Sequence, residues 1–370
     1  MVSRMKLIYK LFTPGPVAPS NDVLKAAATT VISHRSRDFH KLFEEVYEKL
    51  LRLVDLDDGL VALLSGSGTT AVDAMCWSLI ARNDNVLVVS HGEFGYRMAE
   101  TIARRGARVT ILESNRPGEP VAVERVLQEL ESGKYNVLAL VHTETSMGLA
   151  YRVLRDVARK ASSQGVKVLV DVVSSLAGEE FSFKWGVTAI AGAAHKAIAA
   201  LPGVSFVIAS TEAIKDAIRN SKETPLALDL SRYAEFRRRS ETPFTPPVNL
   251  LYALNTALDY ILRRGVENYI RDHEQRARIL YEKLPEIGFK PVVEDERYRS
   301  NTVAAFYTPI DAVAIKEQLY ERGYIIATGM GRFKNRMIRI GVMGNIDTSD
   351  VELLVNNIRE VVAGNIIHRQ

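Results

Sequence analysis

The stretch Asp171-Val-Val-Ser-Ser-Leu176, followed by Ala193-Ala-His195-Lys196, contains an acid and an amine on which the fold prediction depends. The preceding run at 166–170 is short and apolar, so Asp171 is predicted to end a buried strand, where open α/β sheets bind ligands. A buried carboxylate requires a positively charged partner. Lys196 stands among small apolar residues, and a desolvated lysine loses its proton readily and becomes nucleophilic. The two residues together predict a site that holds opposite ends of one aromatic cofactor.

A glycine-rich turn, Ser65-Gly-Ser-Gly-Thr69, lies between a predicted strand and a predicted helix. Backbone N–H groups and the positive end of the helix would point at an anion there, and a phosphate group fits. Gly68 permits close approach of the backbone, while Ser67 and Thr69 supply hydroxyl groups. The turn lacks the lysine of a P-loop and the spacing of a dinucleotide-binding fingerprint, so it indicates a phosphate only in combination with other residues.

The acid, the amine and the turn support one another. Taken singly, Asp171 is a common turn former, Lys196 is one of many surface lysines, and the turn is a helix cap. Taken together, they predict pyridoxal phosphate as the cofactor, with Asp171 at the pyridine nitrogen and Lys196 attached covalently. An ion pair at that nitrogen would keep the ring cationic, so that the ring withdraws electrons from the substrate carbon.

Short motifs found in one enzyme family are spread along the whole chain. They are Thr13-Pro-Gly-Pro16, Ser65-Gly-Ser-Gly-Thr69, His91-Gly-Glu-Phe-Gly-Tyr-Arg97, His142-Thr-Glu-Thr-Ser-Met-Gly148, Asp171-Val-Val-Ser-Ser175, His195-Lys196 with Pro202-Gly203, Thr242-Pro-Phe-Thr-Pro-Pro247 and Arg339-Ile-Gly341. On these residues the chain resembles the class V aminotransferases of the type I pyridoxal-phosphate fold, and within them the alanine:glyoxylate and serine:pyruvate aminotransferases.

The resemblance implies cofactor-binding roles for further residues. It places Phe94 against one face of the pyridine ring and Val173 against the other, because stacking fixes the plane of the ring. Thr145 matches the position that bonds the ring hydroxyl. His195 stands where a glutamine often precedes the lysine in this subfamily, and we expect it to bind the cofactor too.

The resemblance also implies a homodimer with composite active sites. The segment Thr242-Pro-Phe-Thr-Pro-Pro247 matches the part of the family with which one subunit reaches the cofactor phosphate of its neighbour. Thr245 is the better-matched hydroxyl donor, since the family often has a tyrosine at the position of Thr242. As a local sequence, the segment is also a proline-punctuated loop before a helix.

Three residues are expected to bind the substrate by resemblance. Arg339 matches the arginine that grips the substrate carboxylate, and a guanidinium suits that two-pronged contact. Gly15 and His34 match positions near the substrate. The run around Arg339 alternates as an edge strand would, and Arg336, three residues earlier, is predicted to lie on the opposite face.

The function implied by the resemblance is transfer of an amino group from serine or alanine to glyoxylate or pyruvate by a ping-pong mechanism. Phosphoserine or aspartate aminotransferase is the alternative, because a stretch similar to Ser33-His-Arg-Ser-Arg37 lies near the substrate in phosphoserine aminotransferases. A non-catalytic module that binds pyridoxal phosphate is a third hypothesis, disfavoured because each position needed for chemistry is filled. Cys76 follows the phosphate turn in a helix, which is the wrong place for the mobile cysteine of a desulfurase.

The composition is typical of a globular protein of 370 residues, with 47% hydrophobic and 25% charged residues. The net charge of +4 is small and the basic residues alternate with acids, so no nucleic-acid partner is expected. A single cysteine excludes an intrachain disulfide and suits the cytoplasm. Residues 1–12 lack a signal core and no apolar run is long enough for a membrane span, so we predict a cytoplasmic protein. No pattern predicts a metal site.

The predicted architecture is α/β, with a mainly parallel seven-stranded sheet, helices on both faces and a smaller α+β C-terminal domain. Residues 1–14 would form an N-terminal arm, 15–250 the large cofactor-binding domain and 251–370 the small domain. The strand-like runs of the large domain are 60–64, 86–90, 108–112, 136–142, 167–171, 188–191 and 204–209. Two long helical stretches, 248–264 and 266–284, would link the domains.

Overall fold

A computed structural model describes residues 9–367 of the chain. Its strands are β1 (Lys10–Leu11), β2 (Leu60–Gly66), β3 (Asn85–Ser90), β4 (Arg108–Glu113), β5 (Val137–Val141), β6 (Thr143–Glu144), β7 (Leu149–Ala150), β8 (Lys167–Asp171), β9 (Ala189–Ala193), β10 (Gly203–Ala209), β11 (Lys290–Pro291), β12 (Val303–Tyr307), β13 (Tyr324–Ile325), β14 (Ala327–Thr328) and β15 (Met337–Gly341). Its α-helices are α1 (Asn21–Ala27), α2 (Arg37–Leu53), α3 (Gly68–Leu79), α4 (Glu93–Arg105), α5 (Val123–Glu131), α6 (Leu154–Ser163), α7 (Ala213–Asn220), α8 (Leu230–Arg237), α9 (Val248–Arg264), α10 (Val266–Lys283), α11 (Ala312–Glu321) and α12 (Thr348–Ile367).

The main sheet has seven strands in the order β2-β10-β9-β8-β5-β3-β4. β10 is antiparallel to both of its neighbours, and the other neighbouring pairs are parallel. These are the seven strands predicted from the apolar runs, so the α/β prediction with a mainly parallel sheet is confirmed. Strands inside such a sheet have side chains covered by helices on both faces, which is why their sequences are continuously apolar.

Helices cover both faces of this sheet because strand side chains alternate between two cores. In β8, Val168 and Val170 lie in one hydrophobic core and Leu169 in the other. Residues of α2, α5, α6 and α9 complete the first core, and residues of α3, α4, α7 and α8 complete the second. Cys76 of α3 is buried, as expected for a small thiol on the inner face of a helix.

A second, antiparallel sheet has the order β11-β12-β15-β14 and packs against α10, α11 and α12. β15 carries Arg339 and lies between β12 and β14, so the prediction of an edge strand is wrong. The alternation of the sequence reflects one apolar face and one mixed face, a pattern that interior and edge strands share.

The boundary between the large and the small domain remains a proposal. Position 250/251 lies inside α9, and Leu251 and Leu254 are buried in a core of the main sheet. We therefore propose the division after α9. The described part of the N-terminal arm pairs β1 in parallel with β13, and Phe12 is buried beside the second sheet, whereas residues 1–8 lie outside the described residues. Within residues 9–367, every helix falls short of the length or apolar character that crossing a membrane requires.

Candidate active site

A cleft opens at the carboxyl edge of the main sheet. Parallel strands end at the same edge, so the segments that follow β2, β3 and β8 meet there, together with the loop from β9 to β10. Eight predicted residues line this cleft, namely Ser67, Gly68, Thr69, Phe94, Asp171, Val173, His195 and Lys196. The fold thus brings together the acid, the amine and the phosphate turn that the sequence separates.

Lys196 lies in the loop between β9 and β10 and is partly buried. The Nζ atom donates a hydrogen bond of 2.7 Å to the carbonyl oxygen of Pro14. Burial lowers the pKa of Lys196 to about 8, and the nearby charge of Arg339 lowers it further while Asp171 opposes the shift. An amine in this state is partly unprotonated near neutral pH, as a nucleophile and proton carrier must be.

Gly15 packs directly against the lysine side chain. A Cβ atom at Gly15 would lie 2.6 Å from Cδ and 2.7 Å from Cε and Nζ of Lys196. The residue also has φ of +130°, a conformation that residues with a side chain rarely adopt. A glycine is therefore required at this position both by the backbone and by the neighbouring lysine.

Asp171 ends β8 and is almost completely buried. Its Oδ1 accepts a hydrogen bond of 2.8 Å from the backbone N–H of Val173. Burial raises the pKa of Asp171 to about 7, the negative charge of Glu144 adds to the rise, and Lys196 opposes it. A cationic group brought next to this carboxylate would restore its ionised form, and a protonated pyridine nitrogen is such a group.

The phosphate turn joins β2 to α3. Gly66 has φ of +154°, and a Cβ atom there would lie 2.3 Å from Oγ1 of Thr70. The backbone N–H of Ser67 donates to the same Thr70 oxygen at 3.2 Å, which holds the turn against the helix. A Cβ atom at Gly68 would lie 2.7 Å from the Val173 side chain. Because glycine has no Cβ atom, the start of α3 can pack closely against Val173, the predicted ring-stacking residue.

Glu144 holds the segment that carries Phe94. Its fully buried carboxylate accepts hydrogen bonds from the backbone N–H groups of Phe94 at 3.0 Å and Gly95 at 3.1 Å. The other carboxylate oxygen accepts from the N–H of Ser146 at 3.1 Å and from its hydroxyl at 2.5 Å. Burial raises the pKa of Glu144, and these hydrogen bonds oppose the shift. No sequence argument gave Glu144 a role, although it stands within the motif at 142–148.

Two polar atoms in the cleft provide a test of whether pyridoxal phosphate fits. Thr143 Oγ1 and His195 Nδ1 are buried and have no hydrogen-bond partner among residues 9–367. Burial lowers the pKa of His195 to about 4, and the charge of Lys196 adds to the shift, so the ring is neutral. Unsatisfied buried groups imply a ligand with acceptor or donor atoms, and the phosphate and the ring oxygen of the cofactor supply them.

Thr143 begins β6 and Thr145 directly follows that strand, and Thr143 was not predicted as a site residue. Thr145 is buried, and its carbonyl oxygen accepts a hydrogen bond of 3.4 Å from Nη1 of Arg339. Thr143 is the residue of the pair that lines the cleft itself. Thr145 was predicted from its position in the family motif. Thr143 is indicated by its buried hydroxyl oxygen, which has no hydrogen-bond partner among the described residues.

Arg339 reaches the site from β15 of the second sheet. Its Nε donates to the carbonyl oxygen of Thr328 at 2.9 Å, which orients the guanidinium. Burial lowers the pKa of Arg339, and Glu144 opposes this shift. Arg336, just before β15, is exposed. Arg339 is therefore partly buried and Arg336 is exposed to solvent, although the two residues are only three positions apart.

Thr242, Thr245 and His34 are likewise outside the lining of the cleft in the described part of the single chain. The hydroxyl of Thr242 is buried and donates to the carbonyl oxygen of Phe244 at 2.7 Å, whereas Thr245 is exposed. His34 is partly exposed and lies edge-on to Phe39, with ring centroids 6.4 Å apart. The side chain of its neighbour Arg35 is already paired with Glu241 at 2.6 Å.

Comparison with known proteins defines the class. A family model described as Aminotransferase class-V matches residues 21–354, and the chain belongs to that family. Class V aminotransferases of this fold depend on pyridoxal phosphate, which agrees with the acid, amine and turn in the cleft.

Individual relatives differ in the substrates that their names describe. The chain is 33% identical to an uncharacterized aminotransferase of Methanocaldococcus jannaschii, over 90% of this chain and 87% of the relative. The solved structure of a subgroup IV aspartate aminotransferase from Thermus thermophilus is 30% identical, with a TM-score of 0.87 over 96% of this chain and 99% of that one. An alanine–glyoxylate aminotransferase structure from Nostoc sp. is 28% identical, with a TM-score of 0.90 over 98% and 97%.

Proposed function

We propose that the protein transfers an amino group from a small L-amino acid, serine or alanine, to a 2-oxo acid, glyoxylate or pyruvate. The observation that carries this proposal is the position of Arg339, a half-buried guanidinium held by the carbonyl oxygens of Thr328 and Thr145. A carboxylate held there would present its α-carbon to the lysine amine. One guanidinium on that side of the site accounts for one carboxylate, which every small amino acid and 2-oxo acid carries.

Lys196 and Asp171 have complementary roles in this proposal. Pyridoxal phosphate supplies an electron sink for the bonds at the substrate α-carbon when it is bound. The Lys196 amine, with a pKa of about 8, would take the proton from that carbon and deliver it to the cofactor carbon that carries the substrate nitrogen. Asp171 would hold the proton on the pyridine nitrogen by charge. Phe94 and Val173 would fix the plane of the pyridine ring between them, and Thr145 and His195 would form hydrogen bonds to groups at the edge of that ring.

The reaction would follow a ping-pong course, because one site serves both substrates in turn. The donor leaves as its 2-oxo acid before the acceptor enters, and the nitrogen stays in the site between the two half-reactions. The close packing of Gly15 against Lys196 leaves little room beside the amine. This packing favours substrates with short side chains.

A test of the role of Lys196 is replacement by alanine. The variant should lose the covalent attachment of the cofactor, which borohydride reduction followed by peptide mapping measures in the parent protein. Lys222→Ala, at an exposed position, serves as the control and should keep both attachment and turnover. Normal turnover by the Lys196→Ala variant would contradict the proposal.

Thr242 and Thr245 would complete the site of a neighbouring subunit in a homodimer. The exposure of Thr245 in the single chain supports this assignment, whereas Thr242 already bonds Phe244 and would need to exchange that contact. Mixing a Thr245→Ala protein with a Lys196→Ala protein should restore part of the activity, since hybrid dimers contain one intact composite site. A fully active monomer would refute the assignment.

Aspartate is the second candidate donor, supported by the likeness to the Thermus thermophilus aspartate aminotransferase. Phosphoserine is less favoured, because the guanidinium of Arg35 is engaged by Glu241 and by the carbonyl of Thr242. Half-reaction rates with alanine, serine, aspartate and phosphoserine would decide among the donors. The absence of any spectral change with all four donors would instead favour a non-catalytic module.

A further inference from the structure

The cleft has little fixed positive charge to match a phosphate. A phosphate monoester carries about two negative charges at neutral pH. The turn at 65–69 offers N–H groups and hydroxyls, and His195 is neutral because its pKa is lowered to about 4 by burial. Among the described residues that line the cleft, the lysine and arginine side chains are those of Lys196 and Arg97. Lys196 is assigned to the covalent attachment of the cofactor, which leaves Arg97.

The packing of two helices places Arg97 beside the phosphate turn. α3 and α4 follow β2 and β3, which run in the same direction, so both helices begin at the carboxyl edge of the sheet. The hydroxyl of Thr101 on α4 donates to Asp73 on α3 at 2.9 Å, which sets their register. Four residues earlier on each helix, one turn nearer the cleft, stand Arg97 and Thr69. Both line the cleft.

The present contacts of Arg97 leave its guanidinium available. Its Nε lies 3.2 Å from a carboxylate oxygen of Glu93, in an i,i+4 pair whose side chains are both nearly half exposed. Exposed pairs of this kind are weak. The guanidinium carbon lies 4.9 Å from the centroid of the Phe94 ring, so the charge already sits against the residue assigned to stack on the cofactor.

We infer that Arg97 binds the phosphate group of the cofactor, supplying the positive charge that the turn at 65–69 lacks. The inference rests on the proposed placement of the phosphate at that turn. A guanidinium can donate two parallel hydrogen bonds to phosphate oxygens, a contact that a lysine can replace only in part. The same side chain would then link the phosphate to the stacking residue Phe94.

The test compares pyridoxal phosphate with pyridoxal, which lacks the phosphate, as ligands of the stripped full-length protein. Arg97→Gln should weaken binding of pyridoxal phosphate by about tenfold or more, as loss of a charged hydrogen bond does, and leave pyridoxal binding unchanged. Arg97→Lys should bind pyridoxal phosphate with an affinity between those of the parent protein and Arg97→Gln. Arg104→Gln is the matched control, since Arg104 forms the same i,i+4 pair with Glu100 on the same helix and is exposed.

Two results would overturn the inference. One is an equal loss for both ligands, which would mean that Arg97 acts only through the Phe94 ring. The other is no loss for either ligand. Thr69→Ala tests the placement of the phosphate separately. If Thr69→Ala selectively weakens binding of pyridoxal phosphate and Arg97→Gln does not, the role of Arg97 is refuted while the phosphate position is retained. If neither variant is selective, the proposed phosphate position fails together with the inference. Thermal melting of each variant verifies the fold.

Discussion

The amine of Lys196 donates a hydrogen bond of 2.7 Å to the carbonyl oxygen of Pro14, a residue 182 positions earlier in the chain. The segment around Pro14 also contacts β15: the N–H of Gly341 donates to the carbonyl of Phe12 at 2.7 Å. A Cβ atom at Gly341 would lie 2.0 Å from the carbonyl oxygen of Thr13. One N-terminal segment therefore positions the lysine of the main sheet relative to the strand of Arg339.

Gly15→Ala should impair catalysis because the new methyl group would overlap the Lys196 side chain. We expect kcat/KM to fall by about tenfold to a hundredfold, as displacement of a reacting group by an ångström does. Gly133→Ala is the control, since Gly133 has φ of +67° but nothing within 4 Å of its Cβ position. Similar losses in the two variants would mean that backbone strain, and not contact with the lysine, is responsible.

Asp171→Asn should stabilise the cofactor-free protein at high pH while it abolishes most transamination. The pKa of Asp171 is about 7 in the folded state and 3.8 ordinarily, so the folded state binds this proton more tightly than the unfolded state. The resulting stability is present below pH 4 and is lost as the pH rises towards 7. The parent should therefore lose roughly 3 kcal/mol of unfolding free energy between pH 5 and 8 relative to the variant.

Denaturant titrations of the two cofactor-free proteins at pH 5 and pH 8 measure this difference. The amide oxygen of asparagine can still accept the N–H of Val173, so the turn after β8 should persist. A constant difference at the two pH values would show that Asp171 is not protonated in the folded state.

Arg339→Lys should raise KM for every amino donor and every 2-oxo acid. A lysine keeps the charge but cannot form two parallel hydrogen bonds to a carboxylate, nor the bond from Nε to Thr328. A loss of about tenfold to a hundredfold follows from removing one charge-assisted hydrogen bond. Arg336→Lys changes an exposed arginine and should have little effect. Equal effects of the two changes on KM would refute the assignment of Arg339 to the substrate site.

Glu144→Gln should loosen the start of α4. Both carboxylate oxygens of Glu144 accept hydrogen bonds, one from the N–H groups of Phe94 and Gly95 and the other from Ser146. A glutamine would replace one of these oxygens with an NH₂ group, which would face donors. A buried donor without an acceptor costs on the order of 1–3 kcal/mol. We expect lower thermal stability and faster exchange of the Phe94 and Gly95 amides. Glu124→Gln, at an exposed position, provides the control.

Local sequence determined the strands and turns of the main sheet. Its strands are short apolar runs bounded by polar residues, and such runs can be recognised without knowledge of their neighbours. The turn at 65–69 is equally local, because glycine, serine and threonine have their conformational and capping preferences wherever they stand. Asp171 could be placed at the end of a strand for the same reason, and the structure puts it there.

Tertiary structure decided which residues contact one another across the chain. The hydrogen bond from Lys196 to Pro14, the carboxylate of Glu144 beneath Phe94 and the pairing of Arg35 with Glu241 join segments that are distant in sequence. The interior position of β15 and the packing of α9 on the main sheet depended on the same long-range packing. Sequence periodicity reports which face of an element is buried, but it carries no information on which partner buries that face, because hydrophobic attraction is not directional.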